Sequence, residues 1–130
     1  MTTAYVDSSC IVATAFGEKE AAAMVRRLSR FDRVLSSPLL EAELFSALVR
    51  EGREATNRWS AAIEFVIADR PLTPELSRVL SAGYLRGADC WHLATALYVA
   101  PDPSQLAFLT LDALQRKVAR ALGFPTQVAP

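Results

Sequence analysis

Apolar residues in this chain follow two rhythms. Short runs of strand length, at 3–6, 33–36, 68–72 and 106–111, alternate with longer stretches of helical spacing. The first run ends at Asp7. Residues 8–16 then read as a short helix closed by Gly17, and 18–30 as a second helix, with acids early and arginines late, the order a helix dipole favours. Pro38 sits at the start of a strong helix over 39–50, where a missing N–H costs least. A further helix is predicted over 54–66. Thr73-Pro74-Glu75 carries a capping hydroxyl, a first-turn proline and an early acid, and the helix it opens is expected to run to about residue 86. Gly87 breaks it, and 89–99 is helical again until Pro101 and Pro103. The last helix, 112–122, is stopped by Gly123 and Pro125, and 126–128 offers a fifth strand.

Strands separated by helices predict an α/β fold with a mostly parallel sheet of four to five strands, covered on both faces. In such sheets ligands bind beyond the carboxyl ends of the strands. Asp7 directly follows the first strand and Asp112 the fourth, so two acids stand where this architecture places active sites. At 130 residues the chain is expected to form one domain, 1–130, and is long enough to bury a core without disulfides or zinc. Cys10 and Cys90 are far apart and belong to no C-x-x-C pair, and no apolar stretch is long enough for a membrane span. A reduced cytoplasmic setting is expected. The 14 basic and 14 acidic residues cancel, which excludes a wholly basic nucleic-acid binder but not a local basic patch. Among the basic residues only Lys19 and Lys117 are lysines, so arginine, with its two-pronged fit to phosphate and carboxylate, dominates.

Asp7, Asp89 and Asp112 each stand at or near a predicted helix N-terminus, where an acid ordinarily serves as a cap. Their joint occurrence points further, because Ser8, Ser9 and Thr110 offer alternative caps beside two of them. Glu41 and Glu43 fall on opposite shoulders of the stripe Leu40, Leu44, Ala47 and Leu48, and periodicity does not choose between them. His92 lies three residues after Asp89, but as the single histidine it excludes a His-rich zinc site and is expected to pack and hydrogen-bond. Cys10 and Cys90 read as small buried hydrophobes. Trp59, Trp91 and Phe45 read as core or interface rather than base-stacking platforms. Arg26, Arg27, Arg30 and Arg33 form either a solvated face or a contact for an anionic partner. Arg86, three residues before Asp89, is a candidate substrate-binding residue for an anionic group.

Four segments together resemble the PIN-domain ribonucleases, of the kind found as VapC toxins in bacterial toxin–antitoxin pairs. Tyr5-Val6-Asp7-Ser8-Ser9 is similar to the family's opening motif. Glu43-Leu44 with Ala47-Leu48 is similar to the second and favours Glu43 over Glu41. Leu85-Arg86-Gly87-Ala88-Asp89-Cys90-Trp91-His92-Leu93-Ala94 is similar to the third, which ends in Asp-x-x-His-Leu-Ala. Leu109-Thr110-Leu111-Asp112, followed by Ala121-Leu122-Gly123, is similar to the fourth, with Leu111 where an aromatic residue is often found. The resemblance implies a PIN-like three-layer α/β/α sandwich and a metal-dependent endoribonuclease leaving 5′-phosphate and 3′-hydroxyl ends. It implies that Asp7, Glu43, Asp89 and Asp112 form the catalytic cluster holding Mg²⁺ or Mn²⁺. Asp7 and Asp89 would bind directly, Glu43 and Asp112 through water or at a second position, and Ser8 and Thr110 would orient carboxylates or waters. It further implies an RNA substrate, a small cognate antitoxin covering the site, and a homodimer.

The physics agrees with such a cluster. Two like charges 4 Å apart repel by about 4 kcal/mol at an effective dielectric of 20, and a hard divalent ion with oxygen ligands relieves that conflict. The competing readings are a non-catalytic PIN-like module that binds protein or RNA, and an aspartyl-phosphate domain. The second wants a lysine beyond a later strand, and neither Lys19 nor Lys117 follows one.

Overall fold

The computed structural model describes residues 2–126. In chain order these form β1 (Thr3–Val6), α1 (Ser8–Ala15), α2 (Ala21–Leu28), β2 (Arg33–Ser36), α3 (Pro38–Arg50), a 3₁₀ turn (Asn57–Trp59), β3 (Glu64–Phe65), α4 (Thr73–Ala82), α5 (Gly87–Val99), a second 3₁₀ turn (Pro103–Gln105), β4 (Ala107–Leu109) and α6 (Ala113–Leu122). The strands pair in the order β3-β2-β1-β4, all parallel. Parallel strands need crossovers, and the helices supply them on both faces.

The register divides each strand between two cores. Tyr5 lies opposite Leu35 on one side and Phe108 on the other, and these three face the layer of α4, α5 and α6. Ala4, Val6 and Leu109 face the layer of α1, α2 and α3. Both faces are buried, so the strands read as unbroken apolar runs rather than alternating ones. Tyr5 and Phe108 stack with ring centroids 5.4 Å apart. The three-layer α/β/α fold expected from the sequence is the one formed.

Helix α3 forms because its ends and its face agree. The Ser37 hydroxyl accepts from the Leu39 N–H at 3.1 Å, Pro38 occupies the first turn, and Leu40, Leu44 and Leu48 are buried. Each such leucine is worth about 1.5–3 kcal/mol on burial.

Several element expectations change. Residues 54–66 are not a helix. They hold the 3₁₀ turn, capped by the Thr56 hydroxyl, and β3, which pairs with β2 through Leu35↔Glu64 and Ser36↔Phe65. The helix formers around Ala61 and Ala62 lose to the tertiary pairing of the Ile63–Val66 run, whose β-branched and aromatic side chains fit a sheet. Arg33 reinforces it, donating to both Glu64 carboxylate oxygens at 3.1 and 2.8 Å. The run 68–72 is a loop rather than the third strand. Tyr98 pins it by donating to the Asp69 carboxylate at 2.8 Å, and Pro71 has no N–H for a ladder. Thr73 begins α4 without a capping bond from its side chain, and α4 ends at Ala82 rather than near 86. Gly83 caps it where α4 approaches α6: a Cβ there would stand 2.9 Å from Val118 Cγ2. Gly87 opens α5 instead of separating two helices. The second helix begins at Ala21, later than the acids Glu18 and Glu20. The predicted strand 126–128 runs beyond the described residues; just before it, the Phe108 N–H donates to the Pro125 carbonyl at 2.8 Å.

Candidate active site

The sheet itself brings Asp7 and Thr110 together. Val6 pairs with Leu109 in register, so the next residue on each strand emerges side by side at the carboxyl edge. The Asp7 N–H donates to the Leu109 carbonyl at 3.3 Å, continuing the ladder one step. From β1 the chain crosses to β2 on one side, and it returns from β3 to β4 on the other. Asp7 therefore stands where the strand order reverses, the position at which open parallel sheets form crevices.

Asp7 stands at the N-cap position of α1 but does not cap it. Its carboxylate instead accepts from the Ser9 hydroxyl at 2.6 Å and the Thr110 hydroxyl at 3.0 Å. The orienting serine is thus Ser9, not Ser8; among the described residues Ser8 makes no side-chain hydrogen bond. Ser9 also accepts from the Leu111 N–H at 2.9 Å, and Thr110 accepts from the Asp112 N–H at 3.0 Å, so both hydroxyls join β1 to the β4–α6 turn. Burial pushes the Asp7 carboxyl above its ordinary range and the charge of Asp89 adds to this, while the two hydroxyls and His92 pull the other way. Cys10 Sγ lies 3.8 Å from the same carboxylate, and burial with that neighbour pushes its thiol well up, which makes it inert.

Asp89 lies in the first turn of α5, half-buried. Burial raises its carboxyl first, and the negative charges of Asp112 and Glu43 raise it further; His92 and Arg86 partly relieve it. Asp89 is therefore linked to the other three acids: the charges of Asp112 and Glu43 act on it, and its own charge acts on Asp7. Asp112 is exposed and caps α6, accepting from the Gln115 N–H at 2.8 Å, so its expected cap role holds. Glu43 projects from α3 and is held by His92, whose Nε2 lies 2.8 Å from Glu43 Oε1. His92 is wholly buried and its Nδ1 meets the Tyr5 hydroxyl at 2.8 Å. The histidine links a sheet-core tyrosine to a site acid, the packing and hydrogen-bonding role read from its isolation in the sequence. Glu41, on the other shoulder of α3, has no such partner among the described residues. Arg86 is exposed at the N-cap of α5.

The four acids are thus neighbours through their fields. Among the described residues, however, no group of three or more His, Cys, Asp or Glu side chains is gathered closely enough to hold an ion. The donor chemistry still suits a hard cation: all four are carboxylates, and Asp7 and Asp89 are each pushed upward by burial and by a neighbouring acid, the conflict that a divalent ion removes.

Two side chains here escape the sequence reading. Gln115, wholly buried on α6, donates from Nε2 to the Asp89 carbonyl at 3.2 Å. Arg116 donates from Nη2 to the Thr110 carbonyl at 2.9 Å. In the sequence both look like the polar face of an amphipathic helix. The available signal is their spacing of three and four residues after a capping acid, which turns them back toward the site.

The PIN domain family matches residues 4–121, and the chain belongs to that family. Ribonuclease VapC46 of Mycobacterium tuberculosis (strain ATCC 25618 / H37Rv) is 35% identical over 133 residues, covering 100% of this chain and 99% of the relative. The resemblance of the four motifs to PIN-domain proteins of the VapC kind is therefore sound over the full chain.

Proposed function

We propose that this protein is an endoribonuclease toxin, hydrolysing RNA phosphodiester bonds to 5′-phosphate and 3′-hydroxyl ends with Mg²⁺ or Mn²⁺. The observation that carries the reading is the placement of Asp7 at the switch point on the carboxyl edge of a PIN-domain sheet, its carboxylate fixed by Ser9 and Thr110, with Asp89 near enough for its charge to oppose that of Asp7. A fold gains nothing from such repulsion, whereas a cation site requires it. The similarity to a protein named as a ribonuclease supports the same reading.

In this reading Asp7 and Asp89 would hold the ion, with Glu43 and Asp112 supporting it through water or at a second position. A bound divalent ion supplies a water of lowered pKa and positive charge against the scissile phosphate. Ser9 and Thr110 fix both oxygens of the Asp7 carboxylate, so its orientation is set before substrate arrives. His92 fixes Glu43 in the same way. Arg86, exposed beside Asp89, meets a backbone phosphate of the RNA.

A small antitoxin whose tail covers the acids is the expected partner, a homodimer the expected assembly and the cytoplasm the expected location. Among the described residues no helix is long and apolar enough to cross a membrane. The test is cleavage of RNA with Mg²⁺ or Mn²⁺, with Asp7→Asn and Asp89→Asn as controls. Both variants should lose more than the about 10–100-fold typical of outer-sphere partners. Cleavage in excess chelator, or cleavage untouched by both substitutions, removes the reading. A protein that binds RNA but never cuts it returns the non-catalytic module.

A further inference from the structure

Gln115 is buried without trace of solvent on α6, a helix whose other buried residues are Val118 and Ala119. It touches two acids at once. Its Nε2 reaches the backbone carbonyl of Asp89 on α5, and its own N–H binds the Asp112 carboxylate. The amide has one possible orientation, because a carbonyl oxygen only accepts and Nε2 must face it. That orientation leaves Oε1 buried with no hydrogen-bond partner among the described residues. An orphaned buried acceptor is costly, and a methionine of similar length would fill the space without it. Stability alone does not account for a glutamine here. What the side chain does achieve is a fixed tie between the first turns of α5 and α6, the two turns that carry Asp89 and Asp112.

We propose that Gln115 is a positioning residue, which holds the first turn of α5 against that of α6 and so sets the spacing of Asp89 and Asp112. The inference rests on the ribonuclease reading above. If the wild-type protein cuts no RNA with any divalent ion, that reading fails; if it cuts and the variant cuts equally well, only this inference fails.

The experiment compares wild type with Gln115→Met by thermal denaturation in chelator, by kcat and KM on a fluorescent RNA oligomer, and by calorimetric titration of Mn²⁺ into RNA-free protein. The expected result is an unchanged or higher Tm, with kcat lower by about tenfold at unchanged KM, or Mn²⁺ bound several-fold more weakly. A purely structural glutamine would instead lower Tm. A folded Gln115→Met with unchanged kcat and unchanged Mn²⁺ affinity overturns the proposal. Should that variant not fold, Gln115→Asn, too short to reach Asp89, is read the same way. Failure of both to fold also overturns it, since the side chain would then be a requirement of the fold rather than of the site.

Discussion

Asp7 carries a conflict that the fold alone does not explain. It is 3% exposed, and burial together with Asp89 raises its carboxyl above the ordinary range. Relative to the unfolded chain, the native state then binds that proton more tightly, so ionisation opposes folding. The stability linked to Asp7 is present below the unfolded carboxyl range of about 4 and is lost as pH rises through the raised native value. Asp7→Asn should therefore melt higher than wild type at pH 7 in chelator, and the difference should shrink toward pH 3. Mn²⁺ should raise the Tm of wild type but not of the variant. Scanning calorimetry at both pH values checks this; a variant destabilised equally at both would oppose it. The comparison must be between the two proteins, because Glu64, Glu75 and Asp102 have lowered carboxyls and move overall stability the other way. At this scale the motif acids were legible from their place after predicted strands. Ser9 was not separable from Ser8, since only the turn into α1 decides which hydroxyl reaches back. Gln115 was invisible because one buried glutamine does not disturb a helical pattern.

Helix α3 is where element and site are most closely joined. Ser37 accepts from the Leu39 N–H and also from Trp91 Nε1 at 3.0 Å, so one hydroxyl caps α3 and ties it to α5. Glu43 rides on the first and His92 on the second, and they meet at 2.8 Å. Ser37→Ala should cost about 0.5–2 kcal/mol for the lost cap, with a further part for the orphaned indole N–H. Cleavage should fall as well, because the two helices that set Glu43 are no longer clamped. Urea denaturation followed by tryptophan fluorescence measures the first and initial rates the second. Ser29→Ala, which removes only an exposed bond to Arg26 O, serves as the near-neutral reference. An unchanged midpoint for Ser37→Ala would sink the clamp. Elements with strong local signals were legible in the sequence: β1 and β2 at their full lengths, and α3 from its proline and leucine stripe. The failures lie where pairing decides. Glu64–Phe65 becomes a strand because β2 presents an unpaired edge there, information that an Ala-rich segment does not carry locally. The 68–72 run was apolar enough for a strand, but Pro71 and the Tyr98 contact to Asp69 hold it off the sheet.

Across the whole molecule, equal numbers of acids and bases do not mean an even surface. Four of the fourteen acids, Asp7, Glu43, Asp89 and Asp112, belong to the candidate site, so the rest of the chain carries more bases than acids. The basic cluster near α2 is less available than its sequence suggests: Arg33 is occupied by Glu64, and Arg27 has a buried Nε. Arg26 and Arg30 remain exposed there, while Arg86 is exposed beside Asp89. These positions define two possible tracks for RNA, one over α2 and one across the mouth of the site. Counterion release distinguishes them, because each phosphate contact on a single strand contributes about −0.7 to the slope of log K against log salt. In an Asp7→Asn background, where RNA stays intact, Arg86→Ala should reduce the magnitude of that slope by about 0.7, and Arg26→Ala should leave it unchanged. In the active protein Arg86→Ala should slow cleavage while Mn²⁺ affinity changes little. Fluorescence anisotropy of a labelled oligomer across a sodium chloride series reads the slopes. A slope lowered by Arg26→Ala but not by Arg86→Ala would place the RNA over α2, and Arg86 would then serve only to relieve the charge of Asp89.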